Sequence, residues 1–550
     1  MSKKLKVLFM GMGVILSVFI SISSFWLPKV KQEDAPETEF SAMRAMRHIE
    51  KIAAQTHPMG SPENEMVRDY ITGVLSGFGL KPQIQKTYST NRVWGDLLSG
   101  EVENIYAIKE GTGKEKDTIL MMAHYDSTCN GSGAGDDAVG VASLLEVIRI
   151  LTISQPLRNN VIFLFTDGEE AGLLGAAAFV NENPLVKDID LVINFEARGN
   201  SGPSIMFETA DHNGWFMKEF KKASTRPLAY SFSYEVYKRM RNDTDFTKFK
   251  ETGKSGFNFA NIEGFYTYHN EEDNIDNLNK KTLQHVGENA LNLVKHFGNL
   301  TLENRQSNNA VYFTVTRSVF ILYSENLAIP LAVFALVLFI AGYGIGWKKK
   351  YLSIKGSLLG VIVSVLFLAL SFGIGMLGKT IVEALNGIEN FSFTPDQVKK
   401  LTVTGVICLT GTLIIISLML SISYRILQRW VNIYNLLYGT LLIWLLLVIV
   451  SSILFKSASY IFVWPVIALL MGLVIISLTG KEGSKDMGTV ITFIITTFIC
   501  VVIFLPICCL LYISMAMLKI ILPVLNVIAS LPLMLVIPTG IIALRSKRNL

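Results

Sequence analysis

The chain has 550 residues, of which 50% are hydrophobic, with a mean hydropathy of +0.40 and a formal net charge of +5. That length exceeds a single domain, and that hydropathy exceeds what a soluble protein of this size carries, so long apolar segments must be present. With only 5 cysteines, a disulfide-stapled scaffold is excluded, and the apolar content excludes disorder as the main state.

The average charge conceals a partition. Residues 1–27 carry Lys3, Lys4 and Lys6 and no acid, and residues 319–550 carry 16 Lys+Arg against 6 Asp+Glu. The segment 28–318 holds 31 bases and 39 acids, a balance of −8 against +13 for the two flanks. All seven histidines lie in this acidic segment. A segment without a basic surplus is not a nucleic-acid binder. Cys129 is its only cysteine, so it has no internal disulfide.

In chain order, residues 7–27 are the first stretch long and apolar enough for the roughly 30 Å hydrocarbon core of a bilayer. An uncleaved anchor is the expectation, with a cleaved signal peptide as the alternative. Seven more stretches follow near 326–347, 357–378, 401–422, 434–455, 458–479, 489–511 and 521–544. With the N-terminus in the cytoplasm, the inner segments hold 14 bases: Lys3, Lys4, Lys6, Lys348, Lys349, Lys350, Lys355, Arg425, Arg429, Lys481, Lys485, Arg545, Lys547 and Arg548. The short outer loops hold 5: Lys379, Lys399, Lys400, Lys456 and Lys519. The excess of positive charge inside therefore places segment 28–318 outside the cytoplasm. The spans contain almost no intramembrane charge, so nothing in them marks an ion or proton pathway.

Within 28–318, four short β-branched-rich runs read as buried strands: 118–123, 161–166, 191–196 and 204–207. Helical spacing recurs over 137–152 (Val141, Leu144, Leu145, Ile148, Leu151) and over 281–297 (Leu283, Val286, Ala290, Leu293, Val294, Phe297). The alternation predicts an α/β domain with a largely parallel central sheet flanked by helices. In such sheets chemistry gathers at the carboxyl ends of the strands.

The polar clusters fall at those ends. His124-Tyr125-Asp126 closes the first strand, and Gly133 to Gly140 (GAGDDAVG) precedes the helix. Asp167-Gly168-Glu169-Glu170 ends the second strand, and Glu196 ends the third. His269 follows later, four residues before Asp273. Singly, each cluster is weak: an H-x-D is usually surface loop, and acids before a helix are usually caps. Jointly, two histidines and several carboxylates at strand ends form a mixed N/O ligand set of the kind that suits Zn²⁺. A shared carboxylate in such a set can hold two ions.

These motifs, in this order, resemble the M28 family of di-zinc aminopeptidases over roughly residues 45–300. The layout of one soluble domain among many spans is most similar to the family's membrane-embedded branch, the endoplasmic reticulum metallopeptidase and vacuolar membrane protease group. The resemblance implies that His124 and Glu196 bind one zinc, Glu170 and His269 a second, and that Asp136 bridges both. It also implies Glu169 as the general base and Asp126 as the residue that orients His124. The segment Asn242–Phe246 is similar to an element near the substrate site in that branch, which implies Asp245 as a substrate contact; Arg198, two residues beyond Glu196, and Tyr268, beside His269, are candidate contacts by position, with an ion pair to an acid as the alternative for Arg198. The wider family carries Asp where Glu196 stands.

The expected function is therefore a membrane-bound zinc aminopeptidase acting on peptide substrates. The alternatives are a catalytically inactive or glutaminyl-cyclase-like domain of the same fold, or a scaffold or transporter with an accessory peptidase domain. Sequons at Asn130 and Asn242 lie inside the site motifs, with others at Asn299 and Asn390. A glycan there would obstruct the site. This favours a bacterial cell membrane, with the endoplasmic reticulum or vacuole as the alternative. The sequence is silent on oligomeric state.

Overall fold

The computed structural model describes residues 1–93, 95–240, 242–302, 307–386, 395–479, 482–515 and 521–545. The sequon at Asn390 and the loop bases Lys481, Lys519, Lys547 and Arg548 lie outside the described residues. The chain divides into two units, Phe25–Ser324 and the pair of segments Met1–Ser24 and Glu325–Leu550. The division expected from charge fell after Leu27 and after Ser318. The structure moves the second boundary because the strand Val319–Ser324 pairs antiparallel with Ala310–Thr316 and stays with the first of these units.

In that unit, helices α2 (Ala42–Ile52) and α3 (Pro62–Gly77) follow the first span, α1 (Lys3–Ile22). Strands β1 (Gln83–Val93), β2 (Asp96–Lys109) and β3 (Thr118–His124) come next. Then follow α4 (Ala138–Ile153), β4 (Asn160–Thr166), α5 (Leu174–Glu182), β5 (Leu191–Ala197) and β6 (Ser201–Thr209). Helices α6 (Gly214–Ala223), α7 (Ser231–Tyr237) and α8 (Asp245–Glu251) precede β7 (Ser255–Glu263) and α9 (Lys280–Phe297). A hairpin of β8 (Ala310–Thr316) and β9 (Val319–Ser324) closes the unit.

The main sheet has seven strands in the order β1-β2-β4-β3-β5-β7-β6. Its centre, β4-β3-β5-β7, is parallel as expected. Its edges are antiparallel: β1 with β2, β2 with β4, and β6 with β7. The sheet is therefore mixed. The four strands read from sequence are β3, β4, β5 and β6, and the two helices are α4 and α9.

Burial on both faces explains the continuous apolar runs of the central strands. Ile119, Met121, Val161, Phe163, Phe165, Leu191, Ile193 and Phe195 pack with α2, α4, α6 and α9. The alternate residues Leu120, Met122, Ile162, Leu164 and Val192 pack with α5 and α8 through Ala176, Phe179, Phe246 and Phe249. Fully burying one such side chain is worth about 1.5–3 kcal/mol, so the sheet is a rigid base for whatever its ends carry.

The other unit holds α1 and α10 (Ala328–Lys348), α11 (Ile354–Leu385), α12 (Pro395–Leu427), α13 (Ile433–Leu454), α14 (Tyr460–Leu478), α15 (Glu482–Met515) and α16 (Ile521–Leu544). Among the described residues, eight helices are long and apolar enough to cross a membrane, matching in number and place the eight stretches read from sequence. Many of their polar side chains are satisfied locally or in pairs, as favoured where no water is at hand. Ser371 Oγ donates to the Phe367 carbonyl four residues back, at 2.8 Å, and Thr412 donates to the Asn526 side chain at 2.7 Å. Buried Lys6 on α1 pairs with Asp486 on α15 at 2.9 Å.

Candidate metal centre

The carboxyl ends of β3, β4 and β5 are neighbours because these strands pair in parallel and in register. His124 ends β3, the turn after β4 carries Glu169 and Glu170, and Glu196 lies near the end of β5. Residues more than seventy positions apart in the chain thus meet at one edge. The loop between β3 and α4 brings Asp136, and the segment after β7 brings His269.

Asp136 is the centre of the group. One of its carboxylate oxygens lies 3.1 Å from His124 Nε2, and the other lies 3.3 Å from His269 Nε2. Glu196 lies 3.8 Å from His124 Nε2, and Glu170 lies 3.0 Å from His269 Nε2. Two triads result, His124–Asp136–Glu196 and Asp136–Glu170–His269, each with its ligand atoms within 4.8 Å of one another. All five side chains belong to the set expected from sequence.

The loops are held by backbone hydrogen bonds to other carboxylates. Asp126 accepts from the amides of Glu169 (3.1 Å) and Glu170 (3.2 Å), so one buried carboxylate fixes the turn that presents both glutamates. Its own carbonyl oxygen lies 3.0 Å from His124 Nδ1. With the Nδ1 proton directed there, the Nε2 lone pair faces the triad. Asp273 accepts from the amides of Gly135 (2.7 Å) and Asp136 (3.1 Å). Asp137 caps α4 by accepting from the Gly140 amide at 3.0 Å, and a Cβ at position 140 would sit 2.2 Å from that carboxylate. The glycine there is required by this close approach. His269 adopts φ +59°, a left-handed conformation that costs a non-glycine residue about 1 kcal/mol and holds its ring toward Asp136.

The electrostatics are those of a site short of positive charge. Burial first, with neighbouring Asp136 adding to it, pushes Glu196 up to about 8 and Glu170 up to about 7. Burial also raises Glu169, with Glu196 adding to it. Burial alone would raise Asp136 too, yet the two imidazoles beside it hold its carboxyl well below the usual range. His269 is raised to about 10: burial lowers it, but Asp136 and Glu170 outweigh that. Crowded carboxylates that resist ionisation, with imidazole nitrogens aimed among them, are relieved by cations. His269 Nε2 faces only carboxylate oxygens, those of Glu170 at 3.0 Å and Asp136 at 3.3 Å, so a cation bound there would replace its proton. The donor set of histidine nitrogens and carboxylate oxygens fits zinc.

The remaining expected residues divide. Tyr268 stacks on His269 with ring centroids 3.6 Å apart, and the Arg198 guanidinium lies 5.7 Å from the Tyr268 ring centroid. Both are therefore beside the cluster. Asp245 is 1% exposed and accepts from the Thr166 hydroxyl, so it lies beneath the cluster rather than on an open face. Burial raises it to about 6. His57 is buried, with Nδ1 against the Gln55 carbonyl at 2.9 Å, away from the triads. Cys129 is exposed.

Sequence reasoning missed two supports. Asn194 donates to Glu196 at 3.3 Å and to Asn258 at 3.0 Å, and Asn258 donates to Glu208, which is paired with Lys250. Tyr237 on α7 is buried, and its hydroxyl feels the charges of Glu208 first, then of Glu196, Asp243 and Glu169. An asparagine two residues before Glu196 in an otherwise apolar strand was the available signal for the first. Nothing in the local pattern marked Tyr237.

An α/β sheet whose strand ends gather two triads around one shared aspartate defines a metal-centre domain. Residues 104–294 match the sequence profile of Peptidase family M28, so the chain carries an M28 metallopeptidase domain. It is similar to endoplasmic reticulum metallopeptidase 1 of Homo sapiens, 30% identical over 313 residues, covering 52% of this chain and 34% of that protein. It is likewise similar to the vacuolar membrane protease of Candida tropicalis, 30% identical, covering 56% of this chain and 35% of that one. The matched region thus spans about a third of the length of these relatives. The solved aminopeptidase from Aneurinibacillus sp. strain AM-1 aligns at 13% identity and a TM-score of 0.39, covering 47% of this chain and 95% of that one.

Proposed function

We propose that the chain is a membrane-bound di-zinc aminopeptidase. His124 and Glu196 would hold one ion, Glu170 and His269 the other, and Asp136 both. The observation that carries this reading is the placement of the two Asp136 oxygens, each toward a different histidine, at 3.1 and 3.3 Å. When bound, zinc would supply a water of lowered pKa and polarise the scissile carbonyl. Glu169 receives the proton from the attacking water at its carboxylate and passes it to the leaving amine. Burial, with Glu196 adding to it, raises its pKa, which strengthens it as a proton acceptor. Asp126, through the amides of Glu169 and Glu170, keeps the base and the ligand at a fixed distance from each other. Surrounding carboxylates favour a substrate that arrives with a free, positively charged amine, which supports N-terminal cleavage. Arg198 and Tyr268, at the edge of the cluster, are placed to contact the peptide.

The excess of bases in alternate loops supports a topology with this domain on the extracytoplasmic side. The sequons at Asn130 and Asn242 support a membrane whose proteins are not N-glycosylated, such as a bacterial cell membrane.

The test uses the full chain in detergent or nanodiscs. Zinc content is measured, and N-terminal chromogenic amides are compared with blocked peptides, with and without chelator. Two zinc ions per chain and chelator-sensitive cleavage of free N-termini are expected. One zinc with cyclisation of N-terminal glutamine would favour a glutaminyl-cyclase-like enzyme, and cleavage of blocked peptides alone would overturn the aminopeptidase reading.

A further inference from the structure

Away from the triads, the extended chain before α2, the C-terminal half of α9 and the β8–β9 turn enclose a groove of about 520 Å³. Four cations line it, Lys31, Arg226, Lys295 and Arg317, with two carboxylates, Glu39 and Glu288. Lys31 engages both carboxylates, at 3.0 and 3.5 Å. Among the described residues, Arg226, Lys295 and Arg317 make no ion pair within 4.0 Å, so the groove keeps an uncompensated positive surplus. Lys295 donates to the Thr38 carbonyl at 3.3 Å. Burial lowers its pKa, with Glu39 acting in opposition, as expected for an amine short of a partner anion. Arg226 also depresses the pKa of buried His285, after burial itself.

This surplus sits inside an otherwise acidic segment, which makes it a local feature rather than a consequence of net charge. Guanidinium groups match the oxygens of a phosphate in a two-pronged geometry, and an ammonium adds a point charge. The groove volume accommodates a phosphate with a small organic substituent. Arg226 Nη1 lies 3.5 Å from the carbonyl oxygen of Trp26, the residue that directly follows the span Lys3–Phe25. Trp26 is thus one residue beyond the end of a span in the chain, which makes a lipid headgroup one available source of phosphate.

We propose that the groove lined by Lys31, Arg226, Lys295 and Arg317 binds a phosphate-bearing anion of headgroup size. An anionic phospholipid and a free organic phosphate share that chemistry. The proposal is independent of the peptidase reading.

The test is amine footprinting of the full chain in nanodiscs, with acetylation of Lys295 and Lys31 read by mass spectrometry. Exposed Lys114 is the internal control. Discs of phosphatidylcholine alone are compared with discs containing phosphatidylglycerol, and with phosphatidylcholine discs in glycerol phosphate or inorganic phosphate. Severalfold protection of Lys295 in phosphatidylglycerol discs, absent in phosphatidylcholine and lost in the R226Q/R317Q variant, is expected and identifies a lipid. Equal protection by glycerol phosphate in phosphatidylcholine discs would identify a free phosphate. No protection in any arm, or protection that survives R226Q/R317Q in a variant with unchanged thermal midpoint, overturns the proposal.

Discussion

The two units handle buried polar groups in opposite ways. In the soluble unit, Asp126, Asp136, Asp137, Asp167, Glu196, Asp245 and Asp273 are all below 9% exposure, and most crowd around one sheet edge. In the membrane unit, Lys6 is the one charged side chain among the described residues that is buried to this degree. The rest of its buried polarity is uncharged, and much of it is bonded to a carbonyl in the preceding turn, as Ser371 is, or to one neighbour on another helix, as Thr412 is to Asn526. Clustering carboxylates is destabilising unless a cation or a proton joins them. Local back-bonding of hydroxyls makes no such demand. The first unit therefore concentrates ionisable groups that a cation would relieve, and the second keeps its buried polarity almost free of charge.

That contrast is sharpened most by Glu169→Gln. The amide keeps the size of the side chain but takes up no proton, so activity is expected to fall about 10²–10⁴-fold. Zinc content should be unchanged, since Glu169 belongs to neither triad. Loss of zinc in this variant would instead make Glu169 a ligand. Next in size is Asp126→Asn, which weakens the acceptor for two backbone amides beside His124. A 10- to 100-fold lower zinc affinity, of the order seen for partners that orient ligands, is expected in a competition assay with a chromogenic chelator.

In the membrane unit, Asp486→Asn leaves Lys6 buried without its countercharge. Asp486 is itself a quarter exposed, which moderates the loss to about 1–3 kcal/mol. A lower unfolding temperature in detergent checks it. Restoration by the additional change Lys6→Met would confirm that the unpaired charge is the cause.

The smallest effect is the pH dependence of the metal-stripped protein. Glu170 and Glu196 have folded values of about 7 and 8 against an ordinary 4.5. Their protonated forms are favoured by folding, so this stabilisation is complete below about 4.5 and is lost as pH rises to about 8. Raised His269 acts in the same direction, lost as pH rises from 6.5 toward about 10. Depressed Asp136 acts oppositely, but only below about 3.8. The stripped protein should therefore melt at lower temperature at pH 8 than at pH 5, and zinc should remove that difference. A stripped protein equally stable at both would mean that the carboxylates are not crowded in solution.

Much of this was legible from residues alone. Strands β3, β4 and β5 are buried on both faces, so each appears as an unbroken apolar run, and the ligands announce themselves by ending those runs. The spans are legible for a related reason, since length and apolarity suffice. Strands β1, β2 and β7 were not: β1 has exposed residues at every few positions, and β7 is interrupted by Asn258 and Asn261. Their pairing is non-local and leaves no short-range pattern. The substrate contact expected at Asp245 could not be placed either, because its burial against Thr166 depends on how α8 packs on the sheet.

The sequence by itself determined the partition into an acidic histidine-bearing segment and basic apolar flanks, and the placement of the polar clusters at strand ends, because charge, hydropathy and strand ends are properties of local composition. Only the tertiary structure decided that Asp136 turns one oxygen to each histidine, that Asp126 and Asp273 hold the loops by their amides, and that four cations converge in a groove of the acidic unit. Those arrangements rest on strands and loops that are distant in the chain and meet only through packing, and no local pattern encodes a distance between them.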